Sequence, residues 1–183
     1  LDITGKQQKG GEKPPIEYLF VALTDVEKIE KVTNSLLESG VQVAGVCILP
    51  IESEGLIEYL NYKVNGKNSP ARWVILAGQN EDGGLRQVII KDGKMAFTRI
   101  IPTTEAGVKG EAWANEFINE FKATETYLTR LNYKHDDGLN IIMICGDEEK
   151  KIFESRNFSP GDSFKCLTSD EALKLIGFKH NLT

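Results

Sequence analysis

The chain has 183 residues, 40% of them apolar and 27% charged, with 22 Lys and Arg against 27 Asp and Glu and a net charge of -5. That length supports one ordinary domain, or one and part of a second, with a core large enough to fold without disulfides or metals. The acidic balance excludes a generic binder of nucleic acid or anionic membrane, which gains from counterion release only with a basic excess.

No apolar run approaches the ~20 residues that span a bilayer, and no secretory signal opens the chain. It starts at Leu1 rather than Met, as expected of a piece of a longer protein. Cys47, Cys145 and Cys166 are widely spaced and each lies among apolar residues. They read as small buried hydrophobes in a reducing compartment.

Residues 1–15, rich in Lys, Gln, Gly and Pro, read as a disordered tail. Residues 16–62 read as strand, helix, strand, helix. Tyr18 to Leu23 is a short apolar run suited to a strand covered on both faces. Thr24 and Glu27 have capping-box spacing, and Ile29, Val32, Leu36 and Leu37 follow at helical spacing. Gly40 is expected to close that helix in the left-handed conformation. Val41 to Leu49 is a second apolar strand, and Pro50 opens a helix with Leu56, Ile57 and Leu60 facing inward. Residues 63–71 combine Gly, Asn, Ser and Pro and mark the main boundary.

Residues 72–178 follow a different grammar. Strands are expected at 72–77, 85–90 and 94–101, the last two joined by Asp92-Gly93, the strongest short hairpin signal. A long helix over 110–132 carries the stripe Trp113, Phe117, Phe121, Leu128 and Leu131. Leu139 to Cys145 is a strongly apolar strand. A helix from Asp147, which reads as an N-cap, runs to about Arg156. A short strand spans Ser163 to Leu167. Thr168 and Glu171 cap a last helix that ends near Gly177, and 179–183 is a tail. The order β-β-β-α-β-α-β-α is that of the ribonuclease H-like unit, and 16–62 supplies the back half of another. The expected fold is therefore α/β and actin-like, with mixed sheets: one complete unit plus a partial first one.

The chemistry of such folds is sparse here. Two-metal nucleases need a carboxylate on the first strand, because two cations must clamp the reacting oxygens; Trp73 to Gly78 has none. No metal or catalytic residue is assigned. Only if nucleotide binds would Gly78, Gly83, Gly84 and Gly146 hold it, in the turn after the first strand and the turn after the fourth. Glu81 and Asp82 oppose a phosphate in the first of these, and Asp147 and Glu148 follow Gly146. His135, oriented by Asp136, could serve as a base for Cys145, but no oxyanion feature accompanies them. Arg99 shares the two-residue period of Met95, Phe97 and Ile101, which places a cation on an apolar face. It needs either an acid such as Glu105 or Glu111, or a partner segment or ligand anion for which it is the anchor.

The hairpin Gln87-Val-Ile-Ile-Lys-Asp-Gly-Lys-Met-Ala-Phe-Thr-Arg-Ile-Ile-Pro102 resembles the glycine–hydrophobic–arginine hairpin of PilM-like and GspL-like proteins. These are actin-like cytoplasmic components of type IV pilus and type II secretion systems. Tyr18 to Pro50, the helix segment Glu125-Thr-Tyr-Leu-Thr-Arg130 and the strand Ile141 to Gly146 are similar in position, so the resemblance spans residues 16–178. It implies a non-catalytic scaffold at the cytoplasmic side of the bacterial inner membrane. The implied partners are the assembly ATPase and inner-membrane platform proteins, with room for a homodimer, and neither nucleic acid nor direct membrane insertion is implied. The missing Asp-x-Gly phosphate element points to the GspL-like side, without a cofactor. The alternative is a nucleotide-binding actin-like ATPase or a small-molecule kinase fragment.

Overall fold

A computed structural model describes residues 26–45, 53–79, 84–102 and 107–177. The chain divides into two compact units, Leu1–Val46 and Cys47–Thr183. The tails 1–15 and 179–183 and the strand at 18–23 lie outside the described residues.

In the first unit, helix α1 (Val26–Glu38) ends where the sequence placed its stop. Gly40 has φ +77°, the N–H of Gly40 donates to Leu37 and that of Val41 to Leu36, the paired bonds of a Schellman cap. Residues 41–45 carry no strand pairing, and the rest of the strand expected at 41–49 is not described.

The second unit holds helix α2 (Glu54–Asn65) and strands β1 (Trp73–Gln79), β2 (Leu85–Lys91) and β3 (Lys94–Ile101). Helix α3 (Gly110–Arg130), β4 (Leu139–Ile144), helix α4 (Asp147–Ser155), β5 (Ser163–Leu167) and helix α5 (Ser169–Leu175) follow. The five strands form one sheet in the order β3-β2-β1-β4-β5. β1, β2 and β3 pair antiparallel, while β1, β4 and β5 run parallel. That order with those directions is the ribonuclease H-like sheet, the repeating unit of actin-like folds.

The hairpin forms as its sequence dictates. Asp92 has φ 49° and Gly93 φ 78°, the two left-handed positions of a type I′ turn. Arg72 fastens it, with Nε and Nη2 donating to the two Asp92 carboxylate oxygens at 2.9 and 2.6 Å and Nη1 to Asp137 at 3.0 Å.

One face of the sheet is closed by α3 and α4. Trp73, Ile75, Ala77, Ile89, Ile141 and Met143 meet Trp113, Phe117, Phe121, Leu128 and Phe153 there. Phe117 sits at the centre, with rings of Trp113, Phe121, Phe153, Phe158 and Phe164 within 6.3 Å of its own. The opposite face packs Val74, Val88, Ile90 and Ile142 against Ile57 and Leu60 of α2, with Leu175 and Ile176 beside them. Helix α2, grouped by its sequence with the preceding segment, thus packs on this sheet.

Three local expectations need correction. Leu56 does not face inward with Ile57 and Leu60; it is 38% exposed on the outer side of α2. A bulge between Ile89 and Ile90 puts an extra residue in β3, so Met95 joins the α2 face while Phe97 and Ile101 stay on the α3 face. The N-cap of α4 is Gly146 rather than Asp147, which is the first helical residue and sits where a negative charge suits the helix dipole.

Candidate functional site

In open α/β sheets, ligands bind beyond the carboxyl ends of the parallel strands. Here those ends belong to β1 and β4. Gly78 lies opposite Ile144 in the parallel register, and the Gly146 N–H points to Gln79 Oε1 at 3.4 Å. The structure therefore places Gly78 and Gly146 at the same end of neighbouring strands. Gly84 precedes β2, whose first residue, Leu85, pairs with Gln79. Gly83 lies outside the described residues.

The niche beside Gly146 is filled from within. Glu149 is 3% exposed, and its Oε1 accepts from the Gly110 N–H at 2.7 Å. Gly110 begins the 21-residue helix α3, so the carboxylate lies on the positive end of a long dipole. Gly146 has an ordinary φ of -68°. A Cβ there would stand 2.5 Å from Glu149 Oε2, so the buried carboxylate would have to shift to admit one. Gly110 takes φ +62°, a left-handed conformation that favours glycine. With Asp147, three carboxylates occupy the first turn of α4, where an anionic ligand would otherwise meet backbone N–H groups.

The nucleophilic pairing weighed for His135 and Cys145 does not assemble. His135 lies in a short 3-10 turn before the amino end of β4, and Cys145 follows its carboxyl end. A six-residue strand separates them, on the order of 20 Å. Cys145 is buried, and the Cys166 thiol is held above its usual range by a hydrogen bond with Cys145 and by burial. Among the described residues no three His, Cys, Asp or Glu side chains converge to hold a metal.

Arg99 is engaged inside the fold. Its Nη2 donates to Glu120 Oε2 at 2.6 Å and its Nη1 to Thr124 Oγ1 at 3.1 Å. The acid that meets it is Glu120 rather than Glu111, which pairs with Arg156; Glu105 is not described. Thr124 in turn donates to Gln87 Oε1 at 2.7 Å beneath α3. The anchor role considered for Arg99 therefore has its donors already directed at helix α3.

Sequence reasoning missed Arg86. It lies on the other face of the sheet, half-buried, with no hydrogen bond or ion pair among the described residues. Its register partners are Gly78 and Ile100, the latter 60% exposed. Pairing residues 73–79 against 85–91 would have set Arg86 opposite Gly78; read along the chain, it is only a polar residue near the start of a strand.

No protein-family model and no curated protein matches the chain. Among solved structures it is similar to a Bacteroides thetaiotaomicron protein with an actin-like ATPase fold and unknown function, at 8% identity and a TM-score of 0.38 over 67% of this chain. The match spans 43% of that protein, so the chain corresponds to less than half of its length. It is also similar to YeaZ from Pseudomonas aeruginosa, at 12% identity and a TM-score of 0.28 over 86% of this chain and 78% of that one. A third similar chain, an uncharacterised P. aeruginosa protein with similarity to peptidase YeaZ, has 13% identity and a TM-score of 0.27 over 85% of this chain and 76% of its own. The fold assignment stands on strand order and direction.

Proposed function

We propose that this chain is a non-catalytic interaction domain built on an actin-like unit, serving as the cytoplasmic scaffold of a pilus or type II secretion platform of the PilM or GspL kind. The observation that carries the non-catalytic part is Glu149. A buried carboxylate on the α3 N-terminus, packed into the space beside Gly146, occupies ground where an anionic cofactor would have to bind. The pilus or secretion setting comes from the hairpin resemblance, and the assembly ATPase and inner-membrane proteins are the partners it suggests.

The test is thermal unfolding with and without Mg-ATP and Mg-ADP. A ligand present at 100 times its dissociation constant adds about 2.7 kcal/mol. The expected result is no shift; a clear one would reject the reading. The second reading, a nucleotide-binding actin-like ATPase, draws on the placement of Gly78 and Gly146 at the carboxyl ends of β1 and β4. It requires Glu149 to leave its niche, so the same titration on Glu149→Ala separates a blocked site from one that does not exist.

A further inference from the structure

The strand registers lay the α2 face of the sheet out in rows. The lowest row runs through Ile90, Val74 and Asn140, all buried under α2 and α5. In the next, Val88 and Ile142 are still buried. The top row is Ile100, Arg86, Gly78, Ile144 and Leu167, consecutive register partners across all five strands, and none of them is buried. Gly78 makes it a trough: a Cβ built there meets nothing within 4 Å among the described residues. Ile100 on one flank is 60% exposed.

Charge decides what fits. Across these three rows the charged side chains are Arg86 and Lys165, both cationic. Arg86 has no acceptor among the described residues, whereas Arg99 on the opposite face has its carboxylate and hydroxyl in place. A half-desolvated arginine with apolar neighbours is the usual anchor of a protein contact, and its planar fork prefers a carboxylate.

We propose that this top row is a docking surface for a protein segment carrying apolar side chains and a carboxylate: apolar groups fill the trough over Gly78 between Ile100 and Ile144, and the acid pairs with Arg86. This rests on the reading of the chain as an interaction domain and names the surface and chemistry of the contact.

The probes are a short end-blocked peptide of leucine, threonine and glutamate and a twin with lysine in place of glutamate. Each is titrated into the whole chain and followed by amide chemical shifts. The expected result is that the acidic peptide shifts signals of residues 76–79, 85–88 and 98–101 while the lysine twin does not. Arg86→Glu should weaken the acidic peptide by roughly tenfold or more and admit the lysine twin. Ile100→Ser should weaken both pairings. Arg86→Gln, which keeps the size of the chain, serves if the charge reversal disturbs folding, and should lose the preference between the twins. Equal response to both peptides, shifts centred on the exposed Leu56, Tyr59 and Tyr62 of α2, or indifference to Arg86→Glu and Arg86→Gln would overturn the proposal. A Mg-ATP titration in the same samples keeps the two readings apart. Nucleotide shifts at residues 146–149 sink the non-catalytic reading whatever the peptides do, and a charge-blind peptide response sinks the docking surface alone.

Discussion

The two faces of the sheet are finished to different degrees. The α3 face is packed, with two tryptophans and three phenylalanines buried in one cluster and the arginine on its strands, Arg99, engaged. Among the described residues, the α2 face is closed over its lower rows and uncovered over its top row, where an arginine stands without an acceptor. The first arrangement holds the fold and the second leaves cohesive surface unused, which a protein tolerates where something else covers it. On the proposed reading, stability and recognition fall on opposite sides of the same strands, and substitutions should separate them.

The largest effect is expected on the closed face. Phe117→Ala removes a ring that touches five others, and should cost about 3–5 kcal/mol in a urea unfolding experiment. A loss below about 1 kcal/mol would mean the aromatic cluster is not the cohesive centre, and the contrast between faces would fail.

Next comes the Glu149 niche. Glu149→Ala leaves the Gly110 N–H buried without an acceptor and should cost about 1–3 kcal/mol. Glu149→Gln keeps an acceptor for that N–H and should cost less, losing mainly the charge–dipole attraction. If alanine and glutamine behave alike, the hydrogen bond to Gly110 is not what the carboxylate contributes.

The buried polar network sharpens the comparison in another way. Gln87 is wholly buried and its Nε2 has no partner among the described residues, while its Oε1 depends on Thr124. Thr124→Val alone should cost about 1–3 kcal/mol, because it strands the Gln87 carbonyl. The double variant Gln87→Leu with Thr124→Val should recover most of that loss, leaving the cost of the hydrogen bond that Arg99 makes to Thr124. A double variant that simply adds the two single losses would show that the pair is not coupled.

Much of this was legible in the chain. Asp92-Gly93 announces its turn because both residues must take positive φ, and the strand-then-helix alternation after Leu139 forces parallel neighbours. The α3 stripe is visible because aromatic residues recur at helical spacing. What could not be read was set by packing between distant segments. The bulge that moves Met95 to the other face arises in the pairing of β3 with β2, not in β3 itself. Arg99 was given acids just downstream, yet helix α3 carries Glu120 over it a full three turns in. Glu149 is one of three acids in a polar run, and only the approach of Gly110 distinguishes it from its solvated neighbours.

Acid should loosen the hairpin side of the molecule before its core. Asp92 is held below the usual carboxylate range mainly by its hydrogen bonds from Arg72, and Asp137 mainly by the Lys134 N–H. Glu171 is lowered by Lys150 and by the Thr168 N–H of its capping box. All three are depressed, so their contribution is complete above the ordinary carboxylate pKa and fades as pH falls through it toward the lower folded-state values. The urea midpoint should therefore decline below about pH 4. Asp137→Asn should flatten that decline while leaving the neutral-pH slope with denaturant unchanged. Asp92 and Glu171 are about half exposed, so their share should stay small and shrink in salt, while Asp137, with 15% of its side chain exposed, is screened least.

The smallest effect is the one on which the open face depends. Arg86→Gln keeps most of the side chain's length and breaks no ion pair among the described residues, and Ile100→Ser trims a side chain that is 60% exposed, so each should change unfolding stability by no more than about 0.5 kcal/mol. A neutral result fits a row kept for something other than holding the fold together. A loss comparable to Phe117→Ala would instead make Arg86 part of the structural core, and the charge it presents would need a purely intramolecular explanation. Measured beside the closed-face variants in one denaturant series, these two substitutions ask whether the bare row and the packed rows obey the same rule.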